Sequence, residues 1–224
     1  KIVYLTRQNR TLSQANLTVE SLKTLIHETK QHRPTPPKWL TARRTGHTTG
    51  VPQLLLSDVH FDEVVDPRQI NGVNSYGRDI AVSRLKHAFA TTIDLLKHHM
   101  ANPSYDYFVL THGGDLLSGN IHEELRETNE VPISLSIMAI TDVLIAGISQ
   151  LADAFGKVRV PCVVGNHGRW DKKPRAKNRV YENYEWIVCQ MLKRHFAQDD
   201  RVHFEIADGA DLHFSIFNTR YLLT

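Results

Sequence analysis

Cysteine is scarce in this chain. There are two, Cys162 in a strand pattern and Cys189 in a helix pattern, with no close Cys partner in sequence. That excludes a disulfide framework and favours reduced thiols in an intracellular, cytoplasmic setting. Long apolar runs are lacking too: none is expected to span a bilayer, and no signal-peptide pattern opens the chain. No membrane partner is therefore expected. Internal repeats and low-complexity segments are also missing. The first residue is Lys, not Met, so the sequence reads as an excerpt or a processed product.

What is present is an uneven charge. The net charge of +3 over 224 residues hides two basic strips on an acidic body. Residues 1–50 hold nine Lys/Arg against two Asp/Glu, and residues 169–180 hold six against one. The remainder holds twelve against twenty-one. The length suits one domain plus an extension. Residues 1–50 read as a basic N-terminal extension and Pro-rich connector, with a short strand near 2–5 and a helix from Thr18 that stops before Pro34. Residues 51–224 read as the main domain.

Three apolar runs in that domain end in chemistry. Leu54-Leu55-Leu56 runs into Ser57-Asp58-Val59-His60. The run Tyr107 to His112 ends in Gly113-Gly114-Asp115, and the run Val158 to Val164 ends in Gly165-Asn166-His167. Short apolar runs bounded by polar residues predict buried strands. In a strand, residues i and i+2 share a face, so Asp58 and His60 are expected to point at one spot. Carboxylate and imidazole converging there outline a metal site. In open α/β sheets, ligands bind at the C-terminal ends of strands. Helices are expected over 78–100, 132–155 and 178–196, with Leu85, Phe89, Leu96 and Met100 inward in the first. Pro161 predicts a short or partly unpaired third strand. Residues 202–206, 212–217 and 220–224 read as antiparallel strands, given the Asp208-Gly209 and Asn218-Thr219 turns.

Asp-x-His, then Gly-Asp, then Gly-Asn-His, in that order and roughly fifty residues apart, resembles the calcineurin-like metallophosphoesterases over about 52–224. The resemblance implies a four-layered α/β sandwich with metal ligands at strand C-terminal ends. It implies two divalent metal ions, manganese first, with magnesium, zinc or iron as substitutes. Asp58 and His60 would bind the first metal, Asp115 would bridge, and Asn166 would bind the second. His167 would be a general acid or phosphate contact and not a ligand.

The chain departs from that pattern. A single histidine at another strand end and a later Gly-His-x-His are missing, so the domain reads as truncated before its last histidine motifs. Tyr221 to Thr224 looks like the strand that should present the next one. Ser118 and Gly119 stand where protein phosphatases carry an acid and an Arg, and Gly168 stands where an acid follows Asn-His. Gly-Asn-His-Gly-Arg, with Ile121-His122-Glu123-Glu124, resembles nuclease-like, phage-type members. The expected activity is thus phosphodiester hydrolysis on nucleic acid. Arg169, Lys172, Lys173 and Arg175 would hold the polymer and His122 would touch substrate. The alternatives are a phosphatase or pyrophosphatase of small phosphorylated metabolites, and an inactive nucleic-acid-binding module.

Overall fold

The computed structural model describes residues 50–100 and 104–224. The expectations for the basic extension, its strand, its helix and most of its connector lie outside those residues. The described part is mixed α/β. Strands β1 (Gln53–Leu56), β2 (Phe108–His112), β3 (Val158–Cys162) and β4 (Val202–Ile206) form one parallel sheet in the order β1-β2-β3-β4. Between them run α1 (Arg78–Asp94), the short α2 (Glu123–Thr128), α3 (Ile133–Phe155) and α4 (Tyr184–His195). Strands β5 (Leu212–Ile216) and β6 (Thr219–Leu223) form a separate antiparallel pair.

A parallel sheet in sequential order, joined by right-handed crossovers, puts its long connecting helices on one face. The core agrees. Phe108 and Leu110 of β2 pack with Leu85 and Phe89 of α1, Ile140 and Leu144 of α3, and Val188 and Leu192 of α4. Val109 points the other way and packs with Phe214 and Ile216 of β5. Arg159 ties that hairpin to the sheet: it pairs with Glu205 on β4, donates to Ser215 O at 2.6 Å and lies over the Phe214 ring at 5.5 Å.

Several expectations change. β4 is parallel to β3, not antiparallel to β5, and only β5–β6 makes a hairpin. Its turn is Phe217-Asn218, with Phe217 at φ 52°. Helix α4 starts at Tyr184, because Asn183 caps it by accepting from Glu185 N at 2.8 Å. Met100 is exposed, beyond a π turn at Leu95–His99. Helix α3 is long and apolar enough, by length and composition, to cross a membrane, against the expectation that no run is. Here ten of its residues are buried against the sheet and its neighbouring helices. Pro161 behaves as expected. The β2–β3 register skips Leu110 and Thr111 and resumes at His112↔Cys162, because proline has no N–H to donate there.

Candidate metal centre and basic cavity

β1, β2 and β3 are parallel, so the loops after them leave from the same sheet edge. The first two loops continue the ladder past the strands. Asp58 N donates to Gly114 O at 3.1 Å, His60 N to Asp115 O at 3.0 Å and Phe61 N to Leu116 O at 2.9 Å. The side chains converge by a different device from strand alternation. Asp58, His60 and Asp115 have φ of 52°, 45° and 51°. Non-glycine residues hold that left-handed conformation only where the surroundings enforce it, and such strain gathers at functional sites.

One ligand atom each from His60, Asp115 and His167 lies within 4.8 Å of the others. The His60 and His167 rings meet edge to face with centroids 4.4 Å apart. Asp58 is more exposed, with Oδ1 3.9 Å from His60 Nε2. His167 N donates to Asp115 Oδ1 at 2.8 Å, and His167 Nδ1 stands 3.0 Å from Ser118 O. An Nδ1–H donated to that carbonyl leaves Nε2 as the free ring nitrogen. The His122 ring lies 5.8 Å from that of His167. Gly119 has φ 72° and packs where a Cβ would collide with the His167 carbonyl.

The donor set suits a divalent cation: the Asp115 and Asp58 carboxylates and the His60 imidazole, with the His167 ring beside them; His60 Nδ1 makes no hydrogen bond and lies 3.9 Å from Glu63 Oε2. The fit to a second cation is poorer. Asn166 is exposed and lines a cavity of about 420 Å³ with Arg169, Lys173, Arg175 and Arg179. Asp58 and His60 line a separate cavity of about 410 Å³ with Asn74 and Tyr76.

The basic strip opens into the first of these cavities. Arg175 pairs with Asp171 at 2.7 Å and Lys172 with Glu123 at 3.5 Å. Arg169 caps the carbonyls of Asp171 and Lys172, each at 3.0 Å. Lys173, Lys177 and Arg179 have no acidic partner among the described residues. Trp170 follows Arg169 in the strip, is 51% exposed and has its ring 6.0 Å from that of Tyr184.

Sequence reasoning missed Glu185, the group that joins two of the motif loops. It is fully buried and accepts from Gly165 N at 2.7 Å, Asp115 N at 3.1 Å and Leu117 N at 3.4 Å. A signal was available. Glu185, Val188, Cys189 and Leu192 recur at helical spacing, so the acid belongs to the buried stripe. Asn183 adds a bond to Gly165 O at 2.8 Å. Asp62 was missed too: buried, it accepts from Ser136 Oγ at 2.7 Å and Val131 N at 3.2 Å.

Burial pushes the Glu185 carboxyl up to about 8. The Gly165 N–H pulls the other way and the Asp115 charge adds to the rise. A carboxyl raised above its ordinary 4.5 keeps its proton in the folded state after the unfolded chain has lost it. Its contribution to stability is therefore full below about 4.5 and is lost as pH rises through about 8. In chelator-treated protein, urea stability is expected to fall between pH 5 and 8.5. The drop is at most about 5 kcal/mol, since one unit is worth about 1.4 kcal/mol. Glu185→Gln should flatten that part of the curve. An unchanged slope in the variant would assign the pH dependence to other groups.

A scan against protein-family models, a search of curated proteins and a search of solved structures each return no match for this chain.

Proposed function

We propose that this protein is a metal-dependent phosphoesterase acting on nucleic acid. The observation that carries the reading is the convergence of His60, Asp115 and His167, with Asp58 beside them, where three parallel strands end. Strained backbone at three of these four residues supports it. A divalent cation held by Asp58, His60 and Asp115 would polarise a phosphoryl oxygen and acidify its bound water, whereas Asn166, the expected ligand of a second ion, lines the basic cavity instead. Manganese suits the mixed carboxylate and imidazole set, with magnesium, zinc or iron as substitutes.

The chain's own groups have separate tasks. Asp115 is fixed through its backbone by Glu185 and through Oδ1 by the His167 amide. Protonated on both nitrogens, His167 would keep Nδ1–H on Ser118 O and pass the other ring proton to the leaving oxygen. His122 would contact the substrate beside it. In the finer architecture, a four-layered sandwich, a second sheet would extend from the β5–β6 hairpin over the face that leaves Leu55 exposed.

Nucleic acid is favoured over a small phosphorylated metabolite by the cavity beside Asn166. A small metabolite needs one or two cations, whereas a polymer offers phosphates to a whole strip. Trp170 offers the flat face on which a single-stranded base stacks, worth about 1–3 kcal/mol per base. Neutralising several phosphates releases condensed counterions, so binding should weaken steeply with salt. Replacing Lys173, Arg175 and Arg179 together with Ala is expected to flatten the log–log salt slope by roughly two to three units on single-stranded DNA. An unaltered slope would move the polymer off this strip and leave the small-metabolite reading ahead. DNA binding without any manganese-dependent cleavage would favour an inactive binding module.

A further inference from the structure

A second cluster of donor atoms lies within the core. His112 ends β2, Cys162 ends β3, and Cys189 faces them from α4. All three are fully buried at 0% exposure. One ligand atom from each lies within 4.8 Å of the others. Both cysteines are free thiols. The sequence shows two cysteines far from each other and a histidine at the end of an apolar run, and the fold brings these three residues together.

Two free cysteines alone would be ordinary core residues, since a thiol packs as a small hydrophobe. His112 is the anomaly. Neither of its ring nitrogens has a hydrogen-bond partner, although the side chain is wholly buried. A buried polar atom without a partner carries its full desolvation cost. Cys162 Sγ lies 3.4 Å from Val160 O, so among the described residues the Cys189 thiol is the one group beside the imidazole that can interact with it.

We propose that His112, Cys162 and Cys189 form a buried binding site for a zinc-class divalent cation, separate from the centre at Asp115. The donor set is two sulfurs and one imidazole nitrogen, the soft-to-borderline combination that zinc takes and magnesium or calcium does not. Charge also selects it. Two thiolates and one divalent ion sum to zero, so no net charge is left in a low-dielectric interior. Binding releases one proton from each thiol and the displaced aqua ligands to solvent, forms two Zn–S bonds and one Zn–N bond, leaves one water as the fourth ligand, and changes no oxidation state. At zinc bond lengths of about 2.3 Å to sulfur and 2.0–2.1 Å to nitrogen, tetrahedral donors stand about 3.5–3.8 Å apart. With its donor atoms all within 4.8 Å of one another, the cluster needs to close by at most about 1 Å, which side-chain torsions can supply. The bound ion would tie β2, β3 and α4 together beneath the strand end from which Gly113, Gly114 and Asp115 turn.

Cobalt(II) distinguishes this site from the oxygen-and-imidazole centre, because only thiolate ligands give an intense near-ultraviolet sulfur-to-cobalt band. Metal-free, reduced chain titrated with cobalt(II) is expected to develop that band to one equivalent. Zinc should bleach it stoichiometrically. The band should persist in Asp115→Asn and disappear in Cys189→Ser. Zinc at hundredfold excess over its Kd should raise the Tm of the Asp115→Asn variant by about 5 °C or more. The proposal is overturned if saturating cobalt gives no such band in the wild-type chain, a result that needs no variant to fold. It is equally overturned if the band survives Cys162→Ser and Cys189→Ser, or if the protein prepared without reductant is lighter by two hydrogens, which would make the pair a disulfide.

Discussion

Asp115→Asn is expected to abolish cation binding at the His60–Asp115–His167 cluster and to lower metal-dependent diester hydrolysis by at least about 10³-fold, the equivalent of the several kcal/mol that a catalytic cation supplies. The substitution isolates charge from shape. Asp115 sits at φ 51°, and Asn tolerates the left-handed region better than almost any residue except Gly. An Asn Oδ1 still accepts from His167 N, and the backbone N–H of residue 115 still reaches Glu185. The fold should therefore survive while one negative charge is lost from among two imidazoles and Asp58. A second readout follows from the same geometry. The Asp115 charge is one cause of the raised Glu185 carboxyl, so the pH-dependent loss of stability should shrink in the variant. Calorimetric titration with manganese and urea unfolding against pH check both. Wild-type manganese affinity in Asp115→Asn would place the cation elsewhere and remove the basis for the phosphoesterase reading.

The strands that build this edge were readable because burial and chemistry change abruptly at their ends. Leu54 to Leu56 and Phe108 to Leu110 are apolar, Val158 to Cys162 is apolar apart from Arg159, and each is followed within a few residues by glycine or an acid. Helix α3 was readable by length and by its Ile137, Ile140, Leu144 and Leu151 stripe. The orientation of β4 was not. Alternation over Val202–Ile206 shows that one face is buried but says nothing about its partner, and the Asp208-Gly209 signal suggested a hairpin that the fold does not make. The positive φ values at Asp58, His60 and Asp115 have no sequence signature beyond residue type, since the strain is imposed by the neighbouring loops. Glu185 and the cysteine pair were obscured for the same reason. Their partners lie on other elements, and only the sheet order brings Gly165 to Glu185 or His112 to Cys162. The direction of the basic strip was better specified, because Arg169 follows His167 by two residues and has little freedom to leave the site.

His167→Ala is expected to leave cation affinity nearly unchanged and to slow hydrolysis about 10²–10⁴-fold, the usual loss for one acid–base group. The substitution is clean because the backbone at this position is held independently of the ring. His167 N still donates to Asp115 Oδ1, and the carbonyl still packs against Gly119. What disappears is an imidazole whose Nδ1 lies 3.0 Å from Ser118 O and which has one ring nitrogen in the cluster. Proximity alone does not separate proton donor from ligand, since one His167 ring nitrogen belongs to the same 4.8 Å group as His60 and Asp115. The two roles differ in what the variant loses. A proton donor matters most when the leaving oxygen is a poor one, so the deficit should be large on DNA or an alkyl diester. It should be much smaller on a nitrophenyl diester, whose phenolate leaves without help. A ligand matters equally for both substrates and takes the cation with it. An equal loss on the two substrates, with manganese affinity down by tenfold or more, would make His167 a further ligand beside Asp58, His60 and Asp115 and leave His122, 5.8 Å away ring to ring, as the group to test for proton transfer.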